Sequence, residues 1–316
     1  MNKITHVNAT SVAAAAAELG AGAAVIAGGT DILCGLKGMI YASPPTKLVN
    51  IKTISGLDYI KEEGGMLKVG ALTTLTAIYE SSVVQSKYPA LAEAAHKVGT
   101  PQLRNMGTIA GNICQAVRCW YYRGEHVDFN CLRKGGPLCY MVPGNNERHS
   151  ALWGQAGCFA GCPSDCAPVL VALGASIVTN KATKPITDLF GGLDITLADD
   201  EIITEIQIPE PASGTKMTYL KWAWRKAIDF PEVGVAVVAT VSGGNVSNAR
   251  IVMSGVDPIP HRSTAAEDAI NGKAINEANA AAAGAEAVKG ATTLPHNKWK
   301  VQIVKTQVKR ALLALA

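Results

Sequence analysis

IAGGTDIL, residues 26–33, joins an apolar strand to a Gly-Gly turn and a Thr-Asp pair. Glycine accepts positive φ angles and lets an anion approach the backbone closely. Threonine and aspartate are residue types that begin helices, because their side chains bind the free amides of the first turn. The stretch therefore predicts a sharp turn between a strand and a helix, with backbone amides available to an anion. A plain structural turn explains the same residues equally well.

Two further stretches have a similar character. GTPQLRNMGTIAGN, residues 99–112, contains three glycines and two threonines next to an apolar segment. CPSDCAP, residues 162–168, places a Ser-Asp pair directly before an apolar helix, which is also how an ordinary helix begins. Two Gly/Thr-rich loops, each beside an apolar segment, favour a dinucleotide held between two subdomains.

The composition narrows the class of protein. The chain has 316 residues, of which 48% are hydrophobic and 17% charged, and its formal net charge is +4. This length fits two or three subdomains with a large aliphatic core. The charge is too small to indicate nucleic-acid binding, and no basic run with interleaved aromatics supports it. No apolar run has the length of a membrane span, and the N-terminus lacks the pattern of a secretory signal. We expect a soluble, cytoplasmic protein.

The apolar pattern predicts an α+β or α/β protein with three segments, 1–56, 57–212 and 213–316, and we take α+β as the class. Helices are predicted at 12–19, at about 87–98, at 168–173 and, with an apolar stripe, at 300–316. Strands are predicted at 23–27, 47–51, 66–69, 175–179, 216–224, 233–241 and 249–256, and a turn at 242–245.

The cysteines are concentrated in one part of the chain. Seven of the eight lie between Cys114 and Cys166. In a reducing compartment such a patch favours a metal or redox site over disulfides. A C-x-x-C pair, typical of thioredoxin-like redox sites, is absent. The residues alone leave a disulfide staple, a zinc site and an iron–sulfur site open.

Four motifs in order, AGGTDIL, GTPQLRNMGTIAGN, PSDCAPVLVALGA and RKAIDFPEVGVAVVA, resemble the FAD-binding medium subunit of the molybdenum hydroxylases, the xanthine dehydrogenase and carbon monoxide dehydrogenase family. The resemblance covers essentially the whole chain. It implies a two-subdomain FAD-binding (PCMH-like) fold and a C-terminal flavoprotein domain with a three-stranded sheet and helices. It implies Asp165 at the ribose or adenine end of FAD and Lys226 near the isoalloxazine edge. The implied residues around the pyrophosphate are Ile26, Ala27, Gly28, Gly29, Thr30, Asp31, Ile32 and Leu33 in the first loop and Gly107, Thr108, Ile109, Ala110, Gly111 and Asn112 in the second.

Residues at about 113–160 form an insertion that most members of this family lack. It resembles the insertion in the medium subunit of 4-hydroxybenzoyl-CoA reductase, which carries a [4Fe–4S] cluster. The resemblance implies four ligands, Cys119, Cys131, Cys139 and Cys158. These four contain no tight C-x2–4-C pair, which structural zinc sites usually have. The positive residues nearby would suit an anionic cluster, namely Arg118, Arg123, Arg133 and Lys134.

The other cysteines are interpreted as small buried residues, with a contribution to a second cluster as the alternative. They are Cys34, Cys114, Cys162 and Cys166. The six histidines are scattered without a shared spacing, and no catalytic side chain is predicted.

The resemblance implies an electron-transfer flavoprotein subunit that contains FAD and a [4Fe–4S] cluster. Its implied partners are a large molybdenum-cofactor subunit and a small [2Fe–2S] subunit, with ferredoxin or NAD as the external carrier. Two alternatives stay open: an NAD-linked subunit of the xanthine dehydrogenase type, and a non-catalytic assembly module with a zinc-stabilised loop. Neither the substrate nor the direction of electron flow follows from the sequence.

Overall fold

The computed structural model describes residues 3–316. The first sheet along the chain is a small parallel one. The strands are β1 (Thr5–Asn8), β2 (Ala23–Ile26) and β3 (Lys47–Asn50), with helices α1 (Val12–Glu18) and α2 (Ile32–Lys37) between them. The sheet has the order β1–β3–β2, with β3 paired in parallel to both neighbours. Parallel strands need a crossover connection. The glycine turn after β2 begins the crossover that α2 provides.

The middle of the chain forms a five-stranded sheet and a separate hairpin. The strands are β4 (Ile60–Glu63), β5 (Met66–Gly70), β6 (Ser150–Gln155), β7 (Cys158–Ala160), β8 (Ser176–Thr179), β9 (Thr183–Pro185) and β10 (Ile203–Pro209). The sheet has the antiparallel order β4–β5–β10–β8–β9, and β6 pairs with β7 outside it. The 113–160 stretch, which the sequence analysis interprets as an insertion, therefore ends in a hairpin of its own.

Seven short helices accompany this sheet. They are α3 (Leu75–Glu80), α4 (Ser82–Lys87), α5 (Pro89–His96), α6 (Pro101–Met106), α7 (Ile109–Ile113), α8 (Trp120–Arg123) and α9 (Cys166–Ala172). Helix α5 was predicted, and it begins with Pro89 at the first position, where a missing N–H costs nothing. Helix α4 was not predicted; the side chain of Ser81 accepts from the Val84 amide and caps it. Helices α5 and α9 place their buried alanines, leucines and valines in one core with this sheet, and they contact the antiparallel strands at 215–254.

The last part of the chain forms a second antiparallel sheet and three helices. Its elements are β11 (Thr215–Trp222), β12 (Val233–Ser242), β13 (Asn245–Ser254), β14 (His261–Arg262), α10 (Thr264–Ile270), α11 (Glu277–Glu286) and α12 (Trp299–Leu313). Strand β12 is buried on both faces. Ala236 and Val238 pack on the core of the middle region, whereas Val235 and Val237 pack against the C-terminal helices. This position explains its continuous apolar sequence.

The turn and the number of strands in this sheet can be compared with the sequence prediction. The turn at 242–245 is confirmed: Ser242 pairs with Asn245, and Gly243 and Gly244 both have positive φ, as a two-residue hairpin requires. The three predicted strands are present, and the two-residue β14 adds a fourth at the edge of the sheet. Within residues 3–316, no helix is both long and apolar enough to cross a membrane.

Candidate functional site

The two glycine-rich loops meet in the structure. We call residues 27–31 the first loop and residues 107–112 the second loop. A Cβ atom at Gly28 would collide with the carbonyl oxygen of Met106, at the entrance to the second loop. Only glycine permits this approach. The structure thus brings together the two stretches that the sequence predicted to share a dinucleotide.

Local hydrogen bonds hold the loops in shape. Gly29 has a φ of 71°, which a residue with a side chain rarely adopts. In the second loop the Thr108 hydroxyl accepts from the Gly111 amide at 3.2 Å. The second loop is fixed to the middle sheet region because Leu75 donates its amide to the Gly107 carbonyl at 2.9 Å. Thr30 and Gly111 remain exposed, so the cleft between the loops is open to solvent.

Apolar side chains line the rim of this cleft. Leu33, Leu103 and Met106 are all large, apolar and exposed, and they lie in or next to the two loops. Exposed apolar groups clustered beside a polar backbone surface are typical of a ligand site. A glycine cradle with an apolar rim fits a pyrophosphate joined to flat ring systems. The residues present therefore fit FAD.

The third motif is joined to the second loop by a buried hydrogen bond. The Ser164 hydroxyl donates to the Asn112 side-chain oxygen at 2.6 Å, and both residues are buried. Ser164 also accepts from the Ala167 amide at 3.0 Å, at the start of α9. Asn112 was among the predicted site residues, whereas Ser164 was not. The Ser-Asp order in front of a helix was the available signal.

Asp165, the predicted ribose or adenine contact, is buried and has two partners in the protein. Its carboxylate accepts from the Tyr219 hydroxyl at 2.6 Å and from the Lys221 ammonium at 2.9 Å. Burial raises the pKa of Asp165, and Lys221 opposes that shift. Lys221 also donates to the backbone carbonyl of Asp229, in the fourth motif, at 2.8 Å. The structure places Asp165 as a link between the third and fourth motifs, and its contact with FAD stays a prediction.

Lys226, the residue predicted near the isoalloxazine edge, is exposed in the irregular segment between β11 and β12. The neighbouring Ile228 donates its amide to the Gly99 carbonyl at 3.1 Å. The segment therefore contacts the stretch that leads into the second loop. The position of Lys226 is compatible with the prediction, which stays untested.

Asp31 is the first-loop residue with the most partners. Its carboxylate binds the Arg118 and Arg123 guanidinium groups, each at 2.7 Å, and accepts from the Ala116 amide at 2.8 Å. These three donors all belong to the insertion. Arg118 and Arg123 were predicted to offset the charge of a cluster, but both bind Asp31 instead. Burial lowers the pKa of Arg118 to about 10, and Asp31 opposes that shift.

The four predicted metal ligands line one cavity in the insertion. We call residues 113–160 the cysteine module and this space the cysteine cavity. Its walls include Cys119, Cys131, Cys139 and Cys158, together with aromatic and apolar side chains such as Tyr122 and Met141. All eight cysteines of the chain are free thiols in the structure. Across residues 3–316, no three His, Cys, Asp or Glu side chains converge closely enough to hold a single metal ion.

Short local structures present these thiols. Cys119 directly precedes α8, and Cys131 precedes a 3-10 turn at Leu132–Lys134 that ends at Gly135 with a φ of 83°. Cys158 lies in β7 with its side chain toward the cavity. Burial raises the pKa of the Cys119 thiol to about 12, and it also raises that of Cys131. Metal binding to such thiols releases their protons.

Two cations next to the cysteine cavity have no carboxylate partner among the described residues. The buried Lys134 ammonium donates to the backbone carbonyls of Tyr121 and Gly124, at 3.2 and 2.7 Å. Arg133 donates its Nε to the Cys158 sulfur at 3.2 Å, and its other nitrogens bind the carbonyls of Gly192 and Leu193. Arg133 is half-buried and Lys134 is buried, and a buried cation without a counter-ion is costly. This arrangement favours an anionic group in the cavity.

The remaining cysteines lie outside the cavity wall. Cys166 belongs to the core of the middle region, and Cys114 packs against the same core. Burial raises the pKa of Cys162 to about 12. Cys34 is exposed, and its thiol lies 3.6 Å from the Thr30 carbonyl oxygen. Cys162 and Cys166 are buried and Cys114 is half-buried, as small core residues are, whereas Cys34 is exposed and its interpretation as a buried residue is wrong.

Comparison with known proteins covers nearly the whole chain. Residues 2–211 match a family model described as the FAD binding domain in molybdopterin dehydrogenase, and residues 218–315 match the CO dehydrogenase flavoprotein C-terminal domain. The chain belongs to the family of FAD-binding subunits of the molybdenum hydroxylases. It is an oxidoreductase subunit with an FAD-binding domain and the C-terminal domain that the four motifs implied.

Individual relatives agree with this assignment. The chain is 30% identical over 306 residues to the carbon monoxide dehydrogenase medium chain of Hydrogenophaga pseudoflava, covering 94% of this chain and 90% of the relative. It is 31% identical over 274 residues to the aldehyde oxidoreductase FAD-binding subunit of Escherichia coli (strain K12), covering 83% of each.

A solved structure supports the fold. Carbon monoxide dehydrogenase from H. pseudoflava, in a form that lacks the Mo-pyranopterin moiety of its cofactor, superposes with a TM-score of 0.78 at 28% identity, covering 99% of this chain and 97% of the other. The family prediction is thereby confirmed. The family model over residues 2–211 and the E. coli relative are described as FAD-binding, and neither description mentions an iron–sulfur cluster.

Proposed function

We propose that this chain is an electron-transfer subunit that holds FAD in the cleft between the two loops and a [4Fe–4S] cluster in the cysteine cavity. The observation that carries the proposal is the cavity itself. It gathers four thiols from distant parts of the module beside two cations that lack carboxylate partners. Four thiolates and a cluster with net negative charge would supply the missing counter-charge.

Each part of the chain has a defined role in this proposal. Backbone groups of Gly28 and Gly29 would hold the FAD pyrophosphate, the second loop would close the cleft over it, and the exposed apolar rim would cover its rings. Cys119, Cys131, Cys139 and Cys158 would hold the cluster, with Arg133 and Lys134 setting its electrostatic environment. When bound, FAD exchanges electrons in pairs with one partner and singly with iron–sulfur centres. The protein's contribution is to hold both groups near one another and to exclude water from the thiols.

We assign the chain to the 4-hydroxybenzoyl-CoA reductase type, because the cysteine module resembles the stretch that carries a [4Fe–4S] cluster in that medium subunit. The proposed partners are a large subunit with a molybdenum cofactor and a small [2Fe–2S] subunit. Ferredoxin and NAD are the two candidate external carriers. The relatives' names, medium chain and FAD-binding subunit, describe one component of a larger enzyme and support this arrangement.

The test is the flavin and metal content of the complex purified without oxygen, with the metal assigned to this chain after the subunits are separated under anaerobic denaturing conditions. We expect one FAD and about four irons with acid-labile sulfide in this chain. Zinc without iron would contradict the cluster and favour the assembly module. FAD without any metal would favour the NAD-linked type. Absence of flavin from the complex would contradict the proposal as a whole.

A further inference from the structure

The cysteine module binds the first loop of the flavin cleft directly. Asp31 lies at the end of that loop, and every side-chain or backbone donor to its carboxylate comes from the module. A second contact lies beyond α2, where the His126 amide donates to the Met39 carbonyl at 3.0 Å. The module thus holds the unit formed by the first loop and α2 at both of its ends.

Helix α8 connects the Asp31 contacts to the cysteine cavity. It is one turn long, with Cys119 at its start and Arg123 at its end. Cys119 lines the cavity, whereas Arg123 binds Asp31 and also donates to the backbone carbonyls of Val117 and Ala116, at 2.8 and 2.9 Å. A shift of Cys119 therefore moves the groups that hold Asp31.

Arg118 is the second connection, and it reaches a third part of the chain. Its guanidinium binds Asp31 and lies 4.2 Å from the centre of the Phe230 ring, in the fourth motif. Its Nη2 donates to the Gln115 side chain at 2.8 Å, and its buried Nε has no partner among the described residues. An unused buried donor next to the first loop is a position where a ligand group in the cleft would be accepted.

We propose that Arg118 and α8 couple the two sites, so that filling the cysteine cavity tightens FAD binding and FAD binding stabilises the filled cavity. Arg118, Arg123 and Asp31 are positioning residues in this scheme. Ligation at Cys119 fixes residues 115–123, these residues fix Asp31, and Asp31 fixes the first loop against the second. The inference rests on the proposed function, because it requires both FAD and a metal cluster.

Coupling between two binding sites is reciprocal, and typical values change an affinity by 5- to 150-fold. The link here consists of three charged or hydrogen-bonded contacts to one carboxylate, partly shielded from solvent. We expect an effect of about tenfold in each direction, near the lower part of that range. The reciprocal effect on iron separates coupling from a direct contact of Asp31 with FAD, because Asp31 does not line the cavity.

The experiment uses the purified complex and compares Cys119→Ser, Asp31→Asn and the double variant. FAD release after dilution is followed by flavin fluorescence, and iron release to a chelator is followed by absorbance. We expect Cys119→Ser to release FAD about tenfold faster and Asp31→Asn to release iron about tenfold faster than wild type. The double variant should release FAD no faster than the faster single variant, because both changes break the same link.

The matched control is Glu18→Gln, which breaks the 3.0 Å Lys47–Glu18 ion pair on the first sheet without touching the module. It should release both FAD and iron at wild-type rates. If Cys119→Ser does not fold, wild-type complex from which a chelator has removed the iron replaces it in the FAD measurement. FAD and iron both present, but with wild-type FAD release after loss of the cluster, would overturn the coupling alone. A wild-type chain without iron would contradict the proposed function as well.

Discussion

The flavin cleft and the cysteine cavity lie in one chain but depend on different groups. The cleft is made by backbone: Gly28 must lack a side chain because it lies against the Met106 carbonyl. The cavity is made by side chains: four thiols, with Arg133 and Lys134 next to them. A backbone site tolerates many side-chain changes but no added bulk at its glycines, whereas a thiol site depends on each ligand. Substitutions should therefore separate the two sites.

The largest effect is expected from Gly28→Ala, because the new methyl group would collide with the Met106 carbonyl and push the loops apart. Overpacking of this kind costs up to about 3 kcal/mol. We expect FAD affinity to fall by about two orders of magnitude, with a smaller, about tenfold loss of iron through the coupling. Fluorescence titration with FAD measures the effect. Gly64→Asn, at an open turn position with positive φ, is the control and should bind FAD normally. Normal FAD binding by Gly28→Ala would place the pyrophosphate elsewhere.

Lys134→Met should have opposite effects on the filled and the metal-free chain. Loss of the cation beside the thiols weakens cluster binding, so iron release should become about tenfold faster, equivalent to roughly 1.4 kcal/mol. Without metal, removal of the unpaired buried charge relieves a desolvation cost larger than the roughly 1–3 kcal/mol of its two bonds to backbone carbonyls, so the Tm should rise by about 2–4 °C per kcal/mol of net gain. Iron release and thermal unfolding of both forms are the measurements. Lys298→Met, at an exposed lysine before α12, serves as the control. A lower Tm in the metal-free variant would contradict the electrostatic explanation.

Ser164→Ala tests the hydrogen bond between the third motif and the second loop. The variant leaves the buried Asn112 oxygen without its 2.6 Å partner, which typically costs about 1–3 kcal/mol. We expect a lower Tm and a several-fold loss of FAD affinity, with little change in iron. Ser86→Ala, at an exposed helix position, is the matched control. An unchanged FAD affinity would mean that the bond serves the core only.

Lys226→Ala should have the smallest effect on binding. The side chain is exposed, so FAD affinity should stay within about twofold of wild type, in line with other surface substitutions. A positive charge near the flavin favours the reduced, anionic ring. If Lys226 lies at the isoalloxazine edge, the variant, which has lost that charge, will therefore have a lower flavin reduction potential than wild type. Redox titration of the bound flavin checks this. An unchanged potential would remove Lys226 from the candidate site.

The parts of this fold that were predictable depend on local patterns. The helix at Pro89, the Gly243-Gly244 hairpin and the doubly buried β12 each have a signature within a few residues. Short elements without such a signature were missed, including α4 and the two-residue β14. The end of β12 and the start of β13 follow from the hairpin turn, which extends β13 four residues earlier than its apolar pattern indicated.

The candidate site also has parts that could be predicted from the sequence and parts that could not. Its glycine loops are visible in the sequence, and the four thiols could be chosen because a family resemblance supplied the pattern. The partners of the charged side chains could not be identified from the sequence. Arg118 and Arg123 lie next to Cys119 in the chain, yet both bind Asp31, far away in sequence. Proximity in sequence to a ligand says little about where a long side chain points, because its direction depends on packing that only the fold defines.

The most direct test of the central claim is the number of irons per flavin in the anaerobically purified complex, compared between wild type and Cys139→Ser. Cys34→Ser is the matched control, because Cys34 is exposed and lies outside the cavity. We predict that Cys139→Ser loses about four irons per flavin, the content of one cluster, while Cys34→Ser loses none. Equal iron content in wild type and Cys139→Ser would show that the cysteine cavity does not hold the cluster.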